Sequence, residues 1–343
     1  MMRACVQLTR RPMAVGGARR LLSTAKKPAF IEKSLSSDGV LTVRFDNEKK
    51  VSERAPPRVL FFSLRLSPLS TLLLSNAPCL RRSYPAPQLN AWTMPLLRQL
   101  FDSLQAAGTD SDVAGVIVTG KGNYYSAGVD LSAMIKPMAP AKLQRQIRDS
   151  NEQCFRAFLD FPKPIIAAVN GPAIGAAVTS TILMDAVVAS ESATFSLPFA
   201  KLGVPPEGCS SVTFPERMGD KNAHRMLGPE NWVPTGAEAH AAGLIDEVVS
   251  AEALEDRCAE LIRERVASGG GRRFDEAEHT RLRRVNALES AQLANAFVSH
   301  TFLNAMYEFN VKRKKTQLQW VFWTAKTTLP LWKPADILPS DEE

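Results

Sequence analysis

Glu207 stands in a sequence context that suits a general base. It lies between a rigid pair of prolines and a flexible Gly-Cys-Ser-Ser segment, in the largely apolar sequence PFAKLGVPPEGCSSVTF. Apolar surroundings disfavour an ionised carboxylate and raise its affinity for a proton, as proton transfer near neutral pH requires. Two interpretations remain open from these residues alone: a surface glutamate in a turn, or a buried acid/base. Cys209 is close by, but no histidine lies near it in the sequence to activate it as a nucleophile.

Two other stretches offer backbone N–H donors. Gly175 and Ala176 open a run of small residues, and a helix that begins with so little side-chain bulk lets a ligand approach its free N–H groups. The loop GNYYSAGVDL, residues 122–131, contains the small residues Ser126, Ala127 and Gly128, and then Asp130, which is placed to cap the following segment. Donors from both stretches that point at one spot would stabilise a developing negative charge. The alternative is that the small residues only allow tight helix–strand packing.

These stretches must be positioned by buried strands and amphipathic helices. Hydrophobic periodicity predicts strands at 39–45, 113–119, 165–169, 186–189, 193–197 and 245–249. It predicts helices at 90–107, 141–160, 216–227, 236–242 and 251–268. The alternation is typical of an α/β fold, and it favours successive strand-strand-helix units over a doubly wound sheet.

A run of glycines and changes in composition along the chain predict its domain organisation. We assign residues 32–268 to the α/β core. Three consecutive glycines follow as a hinge, and residues 269–315 form a C-terminal helical region. Residues 316–343, rich in Trp, Thr and Pro, are predicted to be a tail.

The formal net charge of +7 over 343 residues arises near the N-terminus and in one internal segment. Before Glu32 there are seven Arg and Lys residues and no acid, which is the composition of a mitochondrial transit peptide. We therefore expect residues 1–31 to direct the protein to the mitochondrial matrix; the alternative is a disordered basic tail. Because the rest of the chain is not basic, the high pI does not indicate nucleic-acid binding.

Residues 51–88 interrupt the regular pattern. The segment is rich in proline and arginine, and its leucine runs have no stable period. Its apolar part is too short and too interrupted to span a bilayer. Removing it joins a predicted strand to a predicted amphipathic helix, so we interpret it as an insertion or a retained intron that forms a poorly ordered surface loop.

The five cysteines are scattered, without a CxxC pair, and the four histidines do not cluster with them. The sequence therefore indicates neither a disulfide framework nor a metal site. A Ser-His-Asp device is also not indicated, because no GxSxG motif is present.

Four motifs in order, YYSAGVDL, KPIIAAVNGPAIGAAV, ATFSLPFAKLGVPPEGCSS and AHAAGLIDEVV, resemble the crotonase (enoyl-CoA hydratase/isomerase) superfamily, and more narrowly its Δ3,Δ2-enoyl-CoA isomerase branch. The resemblance covers roughly 35–50 and 89–315. It implies a crotonase-like fold of repeated ββα units, an acyl-CoA thioester substrate, no separate cofactor, and assembly into trimers or hexamers. It also implies that Ala127 and Ala176 supply the oxyanion-hole N–H groups, and that Glu207 is the acid/base. Ser126, Gly128, Asp130 and Gly175 are then expected to line the acyl-CoA site.

The sequence departs from the hydratases of this superfamily at both of their catalytic glutamates. Those positions fall on Thr179 and Phe199. The resemblance therefore implies an isomerase that moves the double bond of a 3-enoyl-CoA to give the trans-2-enoyl-CoA. The alternatives are another acyl-CoA activity of the superfamily, such as a hydrolase or a residual hydratase, and a non-catalytic binding member.

Overall fold

The computed structural model describes residues 30–46, 89–130, 138–332 and 334–340. All but the last residues of the predicted leader, and the whole predicted insertion at 51–88, lie outside these ranges. The strands are β1 (Ile31–Leu35), β2 (Val40–Phe45), β3 (Gly115–Gly120), β4 (Ile165–Val169), β5 (Ala173–Ile174), β6 (Ala186–Ser190), β7 (Phe195–Ser196) and β8 (Glu247–Val249).

Helices make up most of the remaining described chain. They are α1 (Met94–Thr109), α2 (Pro140–Leu159), α3 (Ala176–Thr179), α4 (Phe199–Leu202), α5 (Ser210–Leu227), α6 (Gly236–Ala241), α7 (Leu254–Ala267), α8 (Glu276–Phe297), α9 (His300–Lys312) and α10 (Thr316–Thr328). Short 3₁₀ turns follow α3 and α10. Within the described ranges, no helix is long and apolar enough to cross a membrane.

Six strands form the main sheet in the order β1-β2-β3-β4-β6-β8. The strand β1 pairs antiparallel with β2, and every other neighbouring pair in this sheet is parallel. Alternate residues of β4 enter different cores: Ile165 and Ala167 pack with α1 and α2, whereas Ile166 packs on α7. Burial on both faces explains why the strand is an unbroken apolar run in the sequence.

A small second sheet lies beside the main one and consists of β5 and β7. Ser126 adds a parallel bridge to Ala173 of β5. Three successive passes of the chain therefore run from a strand of the main sheet, through a residue or strand of the second sheet, into a helix. This is the predicted α/β arrangement of repeated ββα units, and it carries both predicted donor stretches at the second sheet.

The C-terminal helices cover one end of the core. Helix α8 packs along α2, and α9 and α10 form a hairpin whose core includes Phe302 and Phe322. The linker before α8 is fixed by Arg272, which donates to the Leu183 carbonyl at 2.8 Å and pairs with the buried Asp185 at 3.0 Å. Arg272 thus ties the C-terminal helices to the α/β core.

The largest differences from the sequence predictions concern β1, α5 and the C-terminal tail. The strand β1 was not predicted, because only Ile31 of its five residues is buried and an alternating pattern is absent. Helix α5 begins at Ser210 rather than 216, and it accommodates Pro215 within its first turns. The predicted tail from residue 316 is helical as far as Thr328, because Phe322 is buried against α9 and the other C-terminal helices.

Candidate active site

Glu207 is a buried carboxylate at the end of the loop that leads into α5. The residue is 8% exposed. Asn151 of α2 donates from Nδ2 to Glu207 Oε2 at 2.6 Å. The other oxygen, Oε1, accepts no hydrogen bond from the described residues. It is not fully buried. Glu207 Oε1 therefore keeps a lone pair that a ligand can reach.

Asn151 is itself oriented by α8. Ser290, which is fully buried, donates from Oγ to Asn151 Oδ1 at 2.9 Å. This bond fixes which end of the amide faces Glu207, so that the NH₂ group donates to the carboxylate. The predicted base is thus held by two helices, α2 and α8, that are far apart in the sequence.

Burial raises the pKa of Glu207 from 4.5 to about 7. The largest cause is desolvation of the carboxylate; the hydrogen bond from Asn151 lowers the pKa, and the charge of Glu289 raises it. A carboxylate with this pKa exchanges a proton readily near neutral pH. Of the two interpretations of Glu207, the structure excludes the surface glutamate, because the carboxylate is buried.

The turn that follows Glu207 has an unusual backbone. Gly208 and Cys209 both have left-handed backbone angles, with φ of 65° and 63°. A side chain at Gly208 would lie 2.5 Å from the Phe155 ring, so the turn requires glycine at this position. Cys209 is fully buried, its Sγ donates to the Leu282 carbonyl at 3.2 Å, and burial raises the pKa of its thiol. This environment is that of a structural cysteine and not of a nucleophile.

The predicted donor Ala127 is already engaged. Its N–H donates to the Leu89 carbonyl at 3.0 Å. The N–H groups of Ser126 and Gly128 are also taken, by the Pro172 carbonyl and by Ser126 Oγ. The sequence-based assignment of Ala127 as an oxyanion-hole donor is therefore not supported, because its hydrogen is directed at the chain segment before α1.

Among residues 125–130 of this loop, Val129 is the one whose N–H makes no hydrogen bond within the described chain. The parallel bridge to Trp92 explains this: Trp92 accepts from Asp130 and donates to Gly128, so the intervening N–H points to the opposite side. Val129 is partly exposed. The sequence did not indicate Val129 as a donor. The bridge to Trp92, and not the small size of the residues before Val129, determines which N–H is free.

The second predicted donor, Ala176, behaves as expected. Its N–H makes no hydrogen bond within the described chain, and it begins α3 directly after Gly175, which has a φ of 60°. The two loops touch, because a side chain at Gly128 would lie 2.5 Å from the Ile174 carbonyl oxygen and 3.9 Å from Gly175 Cα. A side chain at Gly175 would meet no atom within 4 Å, so open space adjoins the residue before the free Ala176 N–H.

The other predicted site residues have structural partners. The Ser126 side chain is fully buried and donates to the Asn90 carbonyl at 2.8 Å, so it shapes the loop and does not face a ligand. Asp130 is half-buried and its N–H donates to the Trp92 carbonyl. Residues 131–137, which Asp130 was expected to cap, lie outside the described ranges. No hydrogen bond joins Glu207 to either donor loop within the described residues.

Comparison with known proteins assigns the family. The family model for enoyl-CoA hydratase/isomerase matches residues 84–316, more than half of the chain. The chain belongs to this family. It is 41% identical over 162 residues to human enoyl-CoA delta isomerase 2, which covers 46% of this chain and 40% of that protein. It is 40% identical over 169 residues to mouse enoyl-CoA delta isomerase 3, peroxisomal, which covers 48% of this chain and 52% of that protein. The chain thus matches about half the length of these relatives.

A solved structure supports the same fold. The enoyl-CoA hydratase/isomerase from Pseudoalteromonas atlantica superposes with a TM-score of 0.59 at 22% identity, over 83% of this chain and 98% of that one. At this identity the similarity establishes the crotonase-like fold alone. It agrees with the predicted repetition of ββα units.

Thr179 and Phe199, the positions where hydratases of the superfamily are expected to carry glutamates, are both buried and carry no carboxylate. Thr179 is fully buried within α3, and Phe199 is 4% exposed at the start of α4. Neither side chain can exchange a proton as a carboxylate does. Among these three positions, Glu207 alone offers acid/base chemistry.

Proposed function

We propose that this member of the enoyl-CoA hydratase/isomerase family is a Δ3,Δ2-enoyl-CoA isomerase, with Glu207 as its single acid/base. The observation that supports this most directly is the buried Glu207 carboxylate with a pKa of about 7. The identity of about 40% to enoyl-CoA delta isomerases supports the same activity.

The proposed reaction moves one proton. Ionised Glu207 removes a proton from C2 of a 3-enoyl-CoA, and the electron pair of the broken C–H bond delocalises into a dienolate. Protonated Glu207 then returns the proton at C4, which gives the trans-2-enoyl-CoA. Since one group both removes and returns the proton, the reaction requires no metal, nicotinamide or flavin.

We propose Val129 and Ala176 as the donors to the thioester oxygen, with Val129 replacing Ala127. Both N–H groups are without a partner in the described chain, and their loops are in contact through Gly128. Preorganised donors of this kind stabilise the negative charge of a dienolate, and the loss of one typically costs about 10² to 10³-fold in rate. The open space beside Gly175 suits entry of the acyl chain or the thioester.

The test is product analysis with the purified protein. We expect conversion of 3-enoyl-CoA into trans-2-enoyl-CoA, and no appreciable hydration of 2-enoyl-CoA, because Thr179 and Phe199 cannot activate water. Glu207→Gln should lower kcat by at least about 10² to 10⁴-fold while acyl-CoA binding is retained. Gln keeps the length of the side chain and an oxygen to accept the hydrogen bond from Asn151.

Glu191→Gln is a matched control, since Glu191 is an exposed glutamate in the turn after β6. It should leave the rate unchanged. Normal turnover of 3-enoyl-CoA by Glu207→Gln would exclude Glu207 as the acid/base. Hydration or thioester hydrolysis as the main reaction of the wild-type protein would favour the other acyl-CoA activities of the family.

We also propose delivery to the mitochondrial matrix by residues 1–31. The support is their seven basic residues and the absence of any acid before Glu32. Fusion of these residues to a fluorescent reporter tests this, and peroxisomal or cytosolic reporter would contradict it. The peroxisomal name of the mouse relative makes that comparison informative.

We propose in addition that the protein assembles into trimers or hexamers, as the resemblance to the superfamily implies. Sedimentation equilibrium of the purified protein measures this directly. A monomeric species at micromolar concentration would contradict it.

A further inference from the structure

A second buried carboxylate, Glu289, lies behind the turn that carries Glu207. Glu289 belongs to α8 and is 2% exposed. It accepts hydrogen bonds from two backbone N–H groups, Cys209 at 2.6 Å to Oε2 and Ser211 at 2.9 Å to Oε1. Cys209 is the residue before α5 and Ser211 is its second residue, so both donors lie where N–H groups have no partner inside the helix. The carboxylate therefore caps α5 from a different helix.

The pattern of bonds indicates that Glu289 is ionised. Both of its oxygens accept from N–H donors, so a protonated Glu289 would have to give up one of these bonds. The N-terminus of α5 also favours a negative charge. Burial is the larger effect and raises the pKa of Glu289, whereas the bonds from Ser211 and Cys209 oppose this rise; the two N–H donors are the geometric reason to assign the charge.

The bond to Cys209 acts on a strained residue. Cys209 is a non-glycine residue with a φ of 63°, a strained conformation that persists only where the surroundings impose it. Its N–H is held by Glu289, and its carbonyl accepts from Thr213 Oγ1 at 2.9 Å. These contacts fix the backbone two residues after Glu207.

We propose that Glu289 is a positioning residue for Glu207: it fixes the turn after the base and keeps a negative charge behind it. The inference rests on the proposed role of Glu207 as the acid/base. Glu289 touches no substrate in this proposal and acts only through Glu207. Its negative charge opposes ionisation of Glu207, which makes Glu207 a stronger base.

The other groups that face Glu207 do not supply this charge. On α2, Asn151 donates a neutral hydrogen bond, and the Cys154 thiol is buried with its pKa raised, so it stays neutral. In the turn before α5, burial likewise raises the pKa of the Cys209 thiol. The charge that raises the basicity of Glu207 is therefore that of Glu289.

Two variants separate charge from geometry. Glu289→Gln keeps the length, removes the charge and retains one of the two N–H bonds; the acidic midpoint of the pH profile of kcat/KM should move below its wild-type value, with KM little changed. Glu289→Asp keeps the charge but is too short to reach both N–H groups; it should lower kcat and leave the midpoint near that of the wild type. Glu276→Gln, an exposed change at the start of α8, should alter neither.

A second measurement requires neither enzyme activity nor a change at Glu289. Carboxyl ¹³C NMR titration of the wild-type protein and Glu207→Gln reports both glutamates. By reciprocity, removal of the Glu207 charge should lower the titration midpoint of Glu289. An unchanged Glu289 midpoint, or an unchanged pH profile in a folded Glu289→Gln, would overturn the proposal and leave Glu289 as a helix cap only. A coupled titration in a protein without isomerase activity would overturn the proposed function but not this charge relation.

Discussion

Replacing Glu207 by Gln should make the protein more stable, and more so at high pH. In the folded state Glu207 has a pKa of about 7, whereas its ordinary value is 4.5. Between these values the folded protein binds more protons than the unfolded chain, so stability falls as pH rises from 4.5 through 7. Above pH 7 the ionised carboxylate remains buried at a cost that a neutral Gln does not have.

The size of the effect follows from the shift. Each pKa unit corresponds to about 1.4 kcal/mol, so the ionised Glu207 costs about 3 kcal/mol at pH 8. At pH 5 the cost is below about 1 kcal/mol, because the folded state still holds the proton and the unfolded state has lost only part of it. The stabilisation by Glu207→Gln should therefore increase by about 2 to 3 kcal/mol between pH 5 and pH 8.

Urea unfolding at both pH values measures this directly, and the difference between the variant and the wild type removes the contribution of the other titrating groups. Glu191→Gln, an exposed substitution, should show no comparable increase. A stabilisation by Glu207→Gln that is equal at pH 5 and pH 8 would refute the reasoning, since Glu207 would then titrate as a solvated glutamate. The same variant should be nearly inactive, so stability and activity should change in opposite directions.

Two further predictions concern the backbone of the site and its attachment to the C-terminal helices. Gly128→Ala places a Cβ 2.5 Å from the Ile174 carbonyl oxygen at a φ of 76°. It should therefore displace the donor loops and lower kcat/KM by about 10²-fold. Gly271→Ala, whose Cβ meets no atom within 4 Å, should leave kcat/KM unchanged. Arg272→Met removes the cation that pairs with the buried Asp185, and it should lower the free energy of urea unfolding by about 3 to 5 kcal/mol; an effect below about 1 kcal/mol would contradict this account.

The elements of the core could be predicted well because their burial is continuous or periodic. The strand β4 was predicted with its observed ends, since both faces of Ile165–Val169 are covered and every residue is apolar. Helix α1 was predicted to begin at residue 90 but begins at Met94, where Thr93 accepts the Leu96 N–H at 3.4 Å as an N-cap. Patterns of hydrophobicity locate an element, but a capping contact determines where it starts.

The site could be predicted only in part, and the reason is long-range hydrogen bonding. The local sequence around Glu207 left a surface and a buried position open, and it could not show that Asn151 and Glu289, from two other helices, hold Glu207 and the turn after it. The hydrogen bond made by the Ala127 N–H could not be predicted, for the same reason. Ala127 is a small residue, as expected, but its N–H donates to the carbonyl of Leu89, which lies well before it in the chain. The N–H of Val129 is left without a partner in the described chain.

The pKa of Glu207 bears on why one carboxylate can serve both halves of a double-bond shift. A solvated glutamate would remove a proton weakly and would hold it too loosely to deliver it to a chosen carbon. A glutamate with a much higher pKa would remain protonated and would not begin the reaction at neutral pH. Burial and the charge of Glu289 raise the pKa of Glu207, and the hydrogen bond from Asn151 limits the rise. With a pKa of about 7, the base and its conjugate acid are both accessible at neutral pH, which suits a reaction in which the same group takes and returns the proton.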